Sequence, residues 1–338
     1  MPKAEALEYE VGKRTVRLSS PDKIFYPERG FTKKDVFEYY LAVQEPMLRY
    51  IGDRPTALQR FPDGIDGEMF YQKRIPARGV PDWMNTAKIT FPSGRDADEL
   101  CPTEPAHILW AAQMNGVVFH PWPVRAPNVD HPDELRIDLD PQPGTDYHDA
   151  ARIATDHARA VLEEAGLVGY PKTSGGRGVH IYVRIRPEWT FIDARRAVIA
   201  FARALEKRDP KRITTAWWKE ERGERVFVDY NQMARDRTIA SPYSLRANPR
   251  ATVSTPVTWD ELNDVEPNDF DLKSVPQRLA SKGDGYADLD SQPGDLSTLL
   301  QWWEADPREM PWPPDYPKMP GEPPRVQPSK KVAANWDE

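Results

Sequence analysis

The chain has 338 residues, a net charge of −7 and one cysteine, Cys101. This length allows one large domain or two smaller ones with a substantial core, and the single cysteine excludes an internal disulfide and any cysteine-based metal cluster. The excess of 53 Asp and Glu over 46 Lys and Arg argues against a surface that is basic throughout, but it leaves room for a local basic groove. The first 20 residues do not resemble a signal peptide and no run of 18 apolar residues occurs, so we expect a cytoplasmic protein without membrane contact.

The first predicted helix carries two lysines in its first turn. Thr32 is a suitable N-cap and Asp35 completes a capping-box pattern. Lys33 and Lys34 follow the cap, where cations oppose the helix dipole, so helix propensity does not account for them. Together with Lys23 they could hold a phosphate, although solvated lysines explain the same pattern more simply.

Basic and aromatic residues alternate between residues 54 and 75. Such a mixture suits a nucleic-acid surface, because cations neutralise the backbone and aromatic rings stack on bases. A β-hairpin with its turn at Asp63 and Gly64 explains the same residues equally well. The stretch 106–125 then reads as a buried helix followed by a buried strand that ends at His120, and a lone histidine in such a place is usually a core residue.

The segment 135–140 predicts a strand with two carboxylates on one face. Side chains alternate along a strand, so Ile137 and Leu139 face a core while Asp138 and Asp140 face the other way. Carboxylates held side by side raise each other's pKa unless a cation lies between them, and their hard oxygens suit Mg²⁺ or Mn²⁺. A solvated strand end before a turn is an equally good explanation of these two residues alone.

A helix, a glycine-rich turn and a second strand follow. The helix is capped by Thr145 or Asp146 and ends at Gly166, and the turn spans residues 172–178. Backbone N–H groups in such a turn can converge on a phosphate, with a hydroxyl and a guanidinium from the same segment in support. A plain hairpin turn explains the composition as well.

A third acidic residue ends another predicted strand. We expect the next helix to be capped by Asp193 and to run to about Arg208. In the stretch 222–230 that follows, a predicted strand places Asp229 opposite its apolar face. An unpaired charge there would be costly. Together with Asp138, Asp140 and the arginines that follow, this set matches two-metal nucleotidyl transfer, in which one metal activates a 3′-hydroxyl and the other steadies the triphosphate.

The order and the residues of these motifs resemble those of a known superfamily. The D-x-D strand, the segment S-G-G-R-G-V-H-I-Y and the strand ending at Asp229 look like the archaeo-eukaryotic primase-polymerases. The segments 22–27, 79–83 and 242–246 resemble, more narrowly, the polymerase domain of bacterial ligase D, over about residues 15–305. The resemblance implies an α/β protein of the α+β type, with an RRM-like catalytic sheet and an N-terminal part that contacts DNA.

Functional residues follow from this resemblance position by position. It implies that two Mn²⁺ or Mg²⁺ ions are held by the three aspartates, that a nucleotide pocket exists, and that DNA is gripped by two lysines at the 5′-phosphate and two aromatics at the template. The nucleotide pocket would comprise His120, Ser174, Arg177, His180, Arg222, Gln232 and Arg246, and the DNA contacts would be Lys23, Lys33, Phe70 and Tyr71. Two departures from the pattern are Glu68 and Arg177, which stand where lysines are common.

We therefore expect a catalytic domain over residues 1–305, divided near residue 125, and a tail over residues 306–338 that carries nine of the 35 prolines and either wraps the domain in extended form or stays mobile. The resemblance implies a monomeric, nucleoid-associated polymerase that fills short gaps in DNA carrying a 5′-phosphate during excision repair, using NTPs or dNTPs and favouring ribonucleotides. Alternatives are an end-joining polymerase that acts with Ku and a separate ligase, a primase, a non-catalytic module that binds gapped DNA, and a metal phosphohydrolase.

Overall fold

The computed structural model describes residues 5–91 and 94–313. No helix in these two stretches is long and apolar enough to cross a bilayer. The predicted tail is therefore described only as far as residue 313, and its remainder lies outside the described residues.

The N-terminal part is built on a sheet around its fifth strand. It comprises β1 (Leu7–Val11), β2 (Arg14–Leu18), β3 (Ile24–Tyr26), β4 (Phe31–Thr32), α1 (Lys33–Ile51), β5 (Thr56–Arg60), β6 (Phe70–Gln72), β7 (Thr86–Thr90), β8 (Asp96–Leu100), α2 (Pro105–Gln113) and β9 (Gly116–Pro121). Strand β5 pairs antiparallel with β6, β8 and β9. The predicted hairpin is confirmed, since β5 and β6 are joined by a loop that turns at Gly64, where φ is +82°.

The C-terminal part contains the second sheet. Its elements are β10 (Glu134–Pro141), α3 (Tyr147–Ile153), a π-helical turn (Ala154–Ala158), α4 (Arg159–Glu164), β11 (Tyr170–Thr173), β12 (Val179–Arg184), α5 (Phe191–Arg208), β13 (Ile213–Thr214), α6 (Lys219–Arg222), β14 (Val226–Val228), a 3₁₀ turn (Tyr230–Met233), α7 (Ser274–Lys282) and α8 (Ser297–Ala305). The strand order is β11–β12–β10–β14–β13, antiparallel except for the β13–β14 pair. A β-α-β-β-α-β chain with the order 2-3-1-4 is the RRM-like arrangement, so the predicted fold is confirmed.

The two faces of this sheet differ in character. Odd-numbered residues of β10 and β12, such as Ile137, Leu139 and Ile181, are buried in the hydrophobic core that also contains α5 residues such as Val198. The even-numbered residues form what we call the polar face. One hydrophobic cluster includes residues of both parts of the chain, for example Val36 of the N-terminal part and Ile137 of the C-terminal part. The two parts thus share one hydrophobic core.

A buried ion network lines the inner end of the polar face. Glu134 is fully buried, accepts hydrogen bonds from Arg136 Nε at 2.7 Å and from Tyr50 OH at 2.6 Å, and lies 3.2 Å from Arg184 Nη1. Burial alone would raise the pKa of Glu134, but Arg54, Arg136 and Arg184 together lower it. These charges compensate one another, which allows a polar layer to lie inside the domain.

The helix caps follow the sequence with one correction. Thr32 caps α1 in a capping box with Asp35, and Asp146 caps α3, as the sequence predicts. The predicted cap of α5 at Asp193 is wrong, because Thr190 is the N-cap and its hydroxyl accepts a hydrogen bond from Asp193 N. Asp193 closes the capping box from the third helical position, where its carboxylate accepts from Thr190 N at 3.1 Å.

Candidate active site

The polar face brings the three predicted aspartates together. Asp138 and Asp140 project from β10, where they alternate with the buried Ile137 and Leu139. Asp229 follows β14 directly, and its backbone N–H donates to the carbonyl oxygen of Asp138 at 3.0 Å. The amide nitrogen of Gln232 lies 3.4 Å from Asp138 Oδ2 and 3.3 Å from Asp229 Oδ2. Adjacent antiparallel strands thus place carboxylates from distant parts of the chain in one cluster.

The electrostatics of this cluster favour a cation. Burial, followed by the charges of Asp140 and Asp229, raises the pKa of Asp138 well above its usual range. Burial also raises the pKa of Asp229, although the N–H of Asn231 and the charge of Arg222 oppose the shift. A divalent ion would remove the mutual repulsion of the three carboxylates.

The donor set fits a hard divalent ion without forming a closed cage. Within residues 5–91 and 94–313, no group of three His, Cys, Asp or Glu side chains is already spaced as a metal site. Mg²⁺ in nucleotide enzymes is commonly held by one or two carboxylates together with substrate phosphates and water. The oxygens of Asp138, Asp140 and Asp229 are donors of this kind.

His180 lies beside the carboxylates and is held by a lysine. Its Nε2 is 3.6 Å from Asp138 Oδ1, and its Nδ1 is 2.7 Å from Lys172 Nζ. Lys172 also donates to Ser254 Oγ, whose hydroxyl donates to Thr173 O at 3.1 Å. Lys172 is fully buried on β11, directly opposite His180 in the strand register. The imidazole is therefore fixed in orientation from behind.

The glycine-rich turn does not direct its backbone N–H groups outward toward a phosphate, as the simplest expectation would have it. The N–H groups of Gly176 and Gly178 donate to Ser174 Oγ at 3.1 Å each, so they brace the turn instead of pointing outward. Arg177 is exposed and has no hydrogen-bond or ion-pair partner in the described part of the chain. Gly175, with φ of +71°, allows the Arg246 side chain to cross it, because a Cβ there would lie 2.6 Å from Arg246 Cγ. The turn therefore presents cations rather than a ring of amides.

The remaining predicted nucleotide residues surround this cluster. Both ring nitrogens of His120 are buried without a hydrogen-bond partner among the described residues. Burial and the nearby charges of Arg246 and Arg136 lower the pKa of His120 to about 3, so its imidazole is neutral. Arg222 donates to the carbonyl oxygens of Ala216 and Trp217, and its guanidinium lies 3.6 Å from the Phe227 ring centroid. The charge of Arg222 acts on the acidic cluster through space, where it lowers the pKa of Asp229.

The four predicted DNA contacts divide into a cationic pocket and an aromatic pair. Lys33 is buried and donates to Ser19 O and Gln113 Oε1 at 3.0 Å each. Burial and the charges of Lys23 and Arg60 lower the pKa of Lys33 to about 8. Lys23 forms an ion pair with Asp63 at 2.9 Å. In the described part of the chain Lys33 pairs with no carboxylate, and concentrated positive charge of this kind is suited to an anion.

The aromatic pair faces two ways because its members are consecutive in β6. Phe70 is 55% exposed, with the guanidinium of Arg60 5.9 Å from its ring centroid. Tyr71 turns inward, donates or accepts at Thr238 Oγ1 (2.9 Å), and lies with its ring 5.7 Å from that of His120. Only Phe70 presents a free ring face at the surface.

Sequence reasoning assigned no site role to Lys172 or Gln142, whereas Arg60 is one of the basic residues of the predicted nucleic-acid surface over residues 54–75. Lys172 supports His180, Gln142 donates to Asp140 Oδ2 at 3.0 Å, and Arg60 contributes to the charge around Lys33. The strand alternation contained a signal for Lys172, because in a hairpin it falls on the same face as His180. Gln142 follows the strand end and had no comparable signal.

The fold and site define an α+β domain with an acidic, cation-lined centre on an RRM-like sheet. The chain belongs to the family of LigD primase-polymerase domains, whose family model matches residues 32–286. It is therefore a nucleotidyltransferase of the polymerase class, and polymerase domains of this type are generally metal-dependent.

Several relatives and a solved structure support this membership. The multifunctional non-homologous end joining protein LigD of Mycolicibacterium smegmatis is 34% identical over 308 residues, which is 90% of this chain and 40% of that protein. The bifunctional LigD of Bacillus subtilis is 29% identical over 84% of this chain and 46% of its own length. The polymerase domain of Mycobacterium tuberculosis ligase D in complex with DNA has a TM-score of 0.75 and 32% identity, over 82% of this chain and 99% of that domain. The chain spans less than half the length of these curated relatives.

Proposed function

We propose that this protein fills short gaps in DNA by template-directed addition of nucleotides to a primer 3′ end. The observation that carries the proposal is the convergence of Asp138, Asp140 and Asp229 on the polar face of the family's sheet. The DNA complex of the M. tuberculosis relative supports a nucleic-acid substrate. Gapped DNA with a 5′-phosphate and NTPs or dNTPs are the proposed substrates, and excision repair is the proposed setting.

The three aspartates would hold two Mn²⁺ or Mg²⁺ ions. When bound, such ions lower the pKa of the primer 3′-hydroxyl and stabilise the negative charge of the triphosphate. Gln232 orients Asp138 and Asp229 through its amide, and Gln142 orients Asp140. The protein's own contribution is to hold the carboxylate oxygens in fixed positions before substrate arrives.

Cations and neutral imidazoles would receive the triphosphate. Arg177 and Arg246 supply charge from the turn and its neighbour, while Ser174 fixes the shape of the turn. His180, as a neutral donor through Nε2, and His120 would complete the pocket with Arg222. A pocket that bonds the 2′-hydroxyl would favour ribonucleotides.

DNA on the far side of the gap would bind the N-terminal part. Lys33 and Lys23 would hold the 5′-phosphate, and Phe70 would stack on a template base, with Tyr71 supporting the nucleotide side. In this arrangement residues 1–305 act as one catalytic domain with a DNA-contacting and a catalytic part. We propose that it acts as a monomer in the cytoplasm, associated with the nucleoid.

The names of the relatives favour a second candidate, which is synthesis at double-strand breaks with Ku and a separate ligase. Primer extension on gaps of one to several nucleotides, with and without a 5′-phosphate and with NTPs or dNTPs, distinguishes the two. Gap filling predicts most activity on short 5′-phosphorylated gaps without Ku. Activity that requires Ku and paired ends would favour end joining.

The Asp138→Ala variant tests whether the domain is catalytic at all. Incorporation should fall at least about a thousandfold while gapped DNA binding is retained, because the variant loses a metal ligand but no DNA contact. Asp156→Ala is the matched control, since Asp156 is a carboxylate on the helical side of the sheet. Full incorporation by Asp138→Ala would refute the polymerase site and leave a binding module. Nucleotide breakdown without a template would indicate a phosphohydrolase.

A further inference from the structure

The segment after α8 runs along α5 and is held there by arginines. We call residues 306–313 the C-terminal strap. Arg203 donates to Asp306 O at 2.7 Å, Arg196 Nε lies 3.2 Å from Glu309 Oε1, and Arg195 donates to Met310 O at 2.8 Å. Three arginines of one helix therefore bind successive parts of the strap. Of the predicted tail, this described portion is extended and packed on the domain.

Arg195 joins the strap to the turn that follows β14. It is fully buried, its guanidinium lies 3.7 Å from the ring centroid of Trp312 and 5.2 Å from that of Tyr230, and its Nε donates to Asn231 Oδ1 at 2.8 Å. A desolvated guanidinium between two aromatic rings is a strong contact. Trp312 itself is 4% exposed. Trp312 is thus anchored on the domain by Arg195.

Asn231 carries the contact on to the acidic cluster. Its Nδ2 donates to Pro311 O at 3.0 Å, so both ends of its amide are held, one by the strap and one by Arg195. Its backbone N–H donates to Asp229 Oδ1 at 2.9 Å. The next residue, Gln232, reaches Asp138 and Asp229 with its amide. A continuous chain of contacts therefore runs from Trp312 to the third carboxylate.

The strap lies beyond the part of the chain that the family model matches. The family model ends at residue 286, whereas the strap begins at 306. We propose that the C-terminal strap is a positioning element of the active site, which fixes Asn231 and thereby holds the Asp229 carboxylate for a divalent ion. This inference rests on the proposed function, since it assumes that Asp229 binds metal. Trp312, Glu309 and Asn231 are positioning residues, not catalytic ones.

The test is direct Mn²⁺ binding, measured by electron paramagnetic resonance of free Mn²⁺ without nucleotide or DNA. Trp312→Ala should weaken Mn²⁺ binding roughly threefold to tenfold, near the lower end of the effect of removing partners of metal ligands. Trp312→Phe keeps an aromatic ring against Arg195 and should restore binding to within about twofold of wild type. Trp259→Ala is the matched control, because Trp259 stacks on Arg159 (5.8 Å) away from the site. It should leave Mn²⁺ binding unchanged.

A purely structural role would show a different pattern. In that case Trp312→Ala would lower the melting temperature but bind Mn²⁺ like wild type, and this result would overturn the proposal. If Trp312→Ala does not fold, Glu309→Ala provides the test, because it removes only partly exposed ion pairs with Arg195 and Arg196. This variant should also weaken Mn²⁺ binding, by a smaller factor. Unchanged Mn²⁺ binding in Glu309→Ala would again overturn the proposal. Wild-type protein that binds no Mn²⁺, or binds it equally after Asp229→Asn, would instead refute the metal site of the proposed function.

Discussion

Lys172 Nζ lies 2.7 Å from His180 Nδ1, and both side chains are buried on the polar face of the second sheet. The amine of Lys172 can donate to Nδ1, and Nε2 lies 3.6 Å from the acceptor Asp138 Oδ1, so the tautomer that suits both neighbours has Nδ1 as acceptor and the proton on Nε2. Burial, followed by the charges of Lys172 and Arg246, holds the pKa of His180 well below its usual range. The imidazole is therefore a neutral donor aimed at the side where Asp138 lies.

Lys172→Met should remove this orientation while preserving most of the packing volume. We expect the KM for the incoming nucleotide to rise about tenfold, since one hydrogen bond worth ~1–1.5 kcal/mol is lost. Steady-state incorporation kinetics measure the change. In a double-mutant cycle with His180→Asn the two effects should be strongly non-additive. Additive losses would show that Lys172 does not act through His180.

Asp138→Asn should stabilise the metal-free protein even though it abolishes incorporation. The raised pKa of Asp138 means that its charge opposes folding at neutral pH, through burial and the neighbouring carboxylates. We expect the free energy of unfolding in urea at pH 8, with chelator present, to increase by about 1 kcal/mol. Mn²⁺ should stabilise wild type more than the variant. A variant that is less stable than wild type without metal would contradict the account, and Asp156→Asn should change neither quantity.

Strand alternation and cap chemistry made much of the catalytic sheet predictable. The period of two places Asp138 and Asp140 opposite Ile137 and Leu139 whatever the partner strands are. Capping at Thr32 follows from local hydrogen bonds in the same way. The error at α5 arose because Asp193 and Thr190 are both good capping residues. The reciprocal capping box identifies Thr190 as the N-cap and Asp193 as the third helical residue.

Long-range pairing accounts for what could not be predicted. Strand alternation places Lys172 and His180 on the same face, but the length of the hairpin turn is what makes them direct partners. Arg195 and Pro311 are 116 residues apart, and no local periodicity links them. Glu134 has the composition of a surface residue, yet it is fully buried because arginines from three different segments surround it. Such contacts depend on the assembled fold and leave no pattern in the sequence around each residue.

Glu99 should make stability fall as pH rises. Its side chain is fully buried and accepts a hydrogen bond from Trp122 Nε1 at 3.0 Å, and burial raises its pKa to about 8. Between the unfolded value near 4.5 and this folded value, the native state binds the extra proton, so stability declines with pH over that window. Glu99→Gln should therefore be close to wild type near pH 5 and exceed it by about 4 kcal/mol near pH 9. Urea unfolding at both pH values is the measurement, with exposed Glu8→Gln as control, and a constant difference would contradict it.

Lys33 should make recognition of the 5′-phosphate sensitive to mild alkali. Its pKa of about 8, lowered by burial and by Lys23 and Arg60, means that the free protein loses this positive charge as pH rises through that value. The phosphate is already fully ionised there, its second pKa being about 6. The gain in affinity that a 5′-phosphate gives to gapped DNA should therefore fall between pH 7 and pH 9, as measured by fluorescence anisotropy at constant ionic strength. Lys33→Met should show little gain at any pH, and Lys34→Met, which removes an exposed lysine from the same helical turn, should behave like wild type. A wild-type gain that is the same at pH 7 and pH 9 would show that Lys33 does not hold the phosphate.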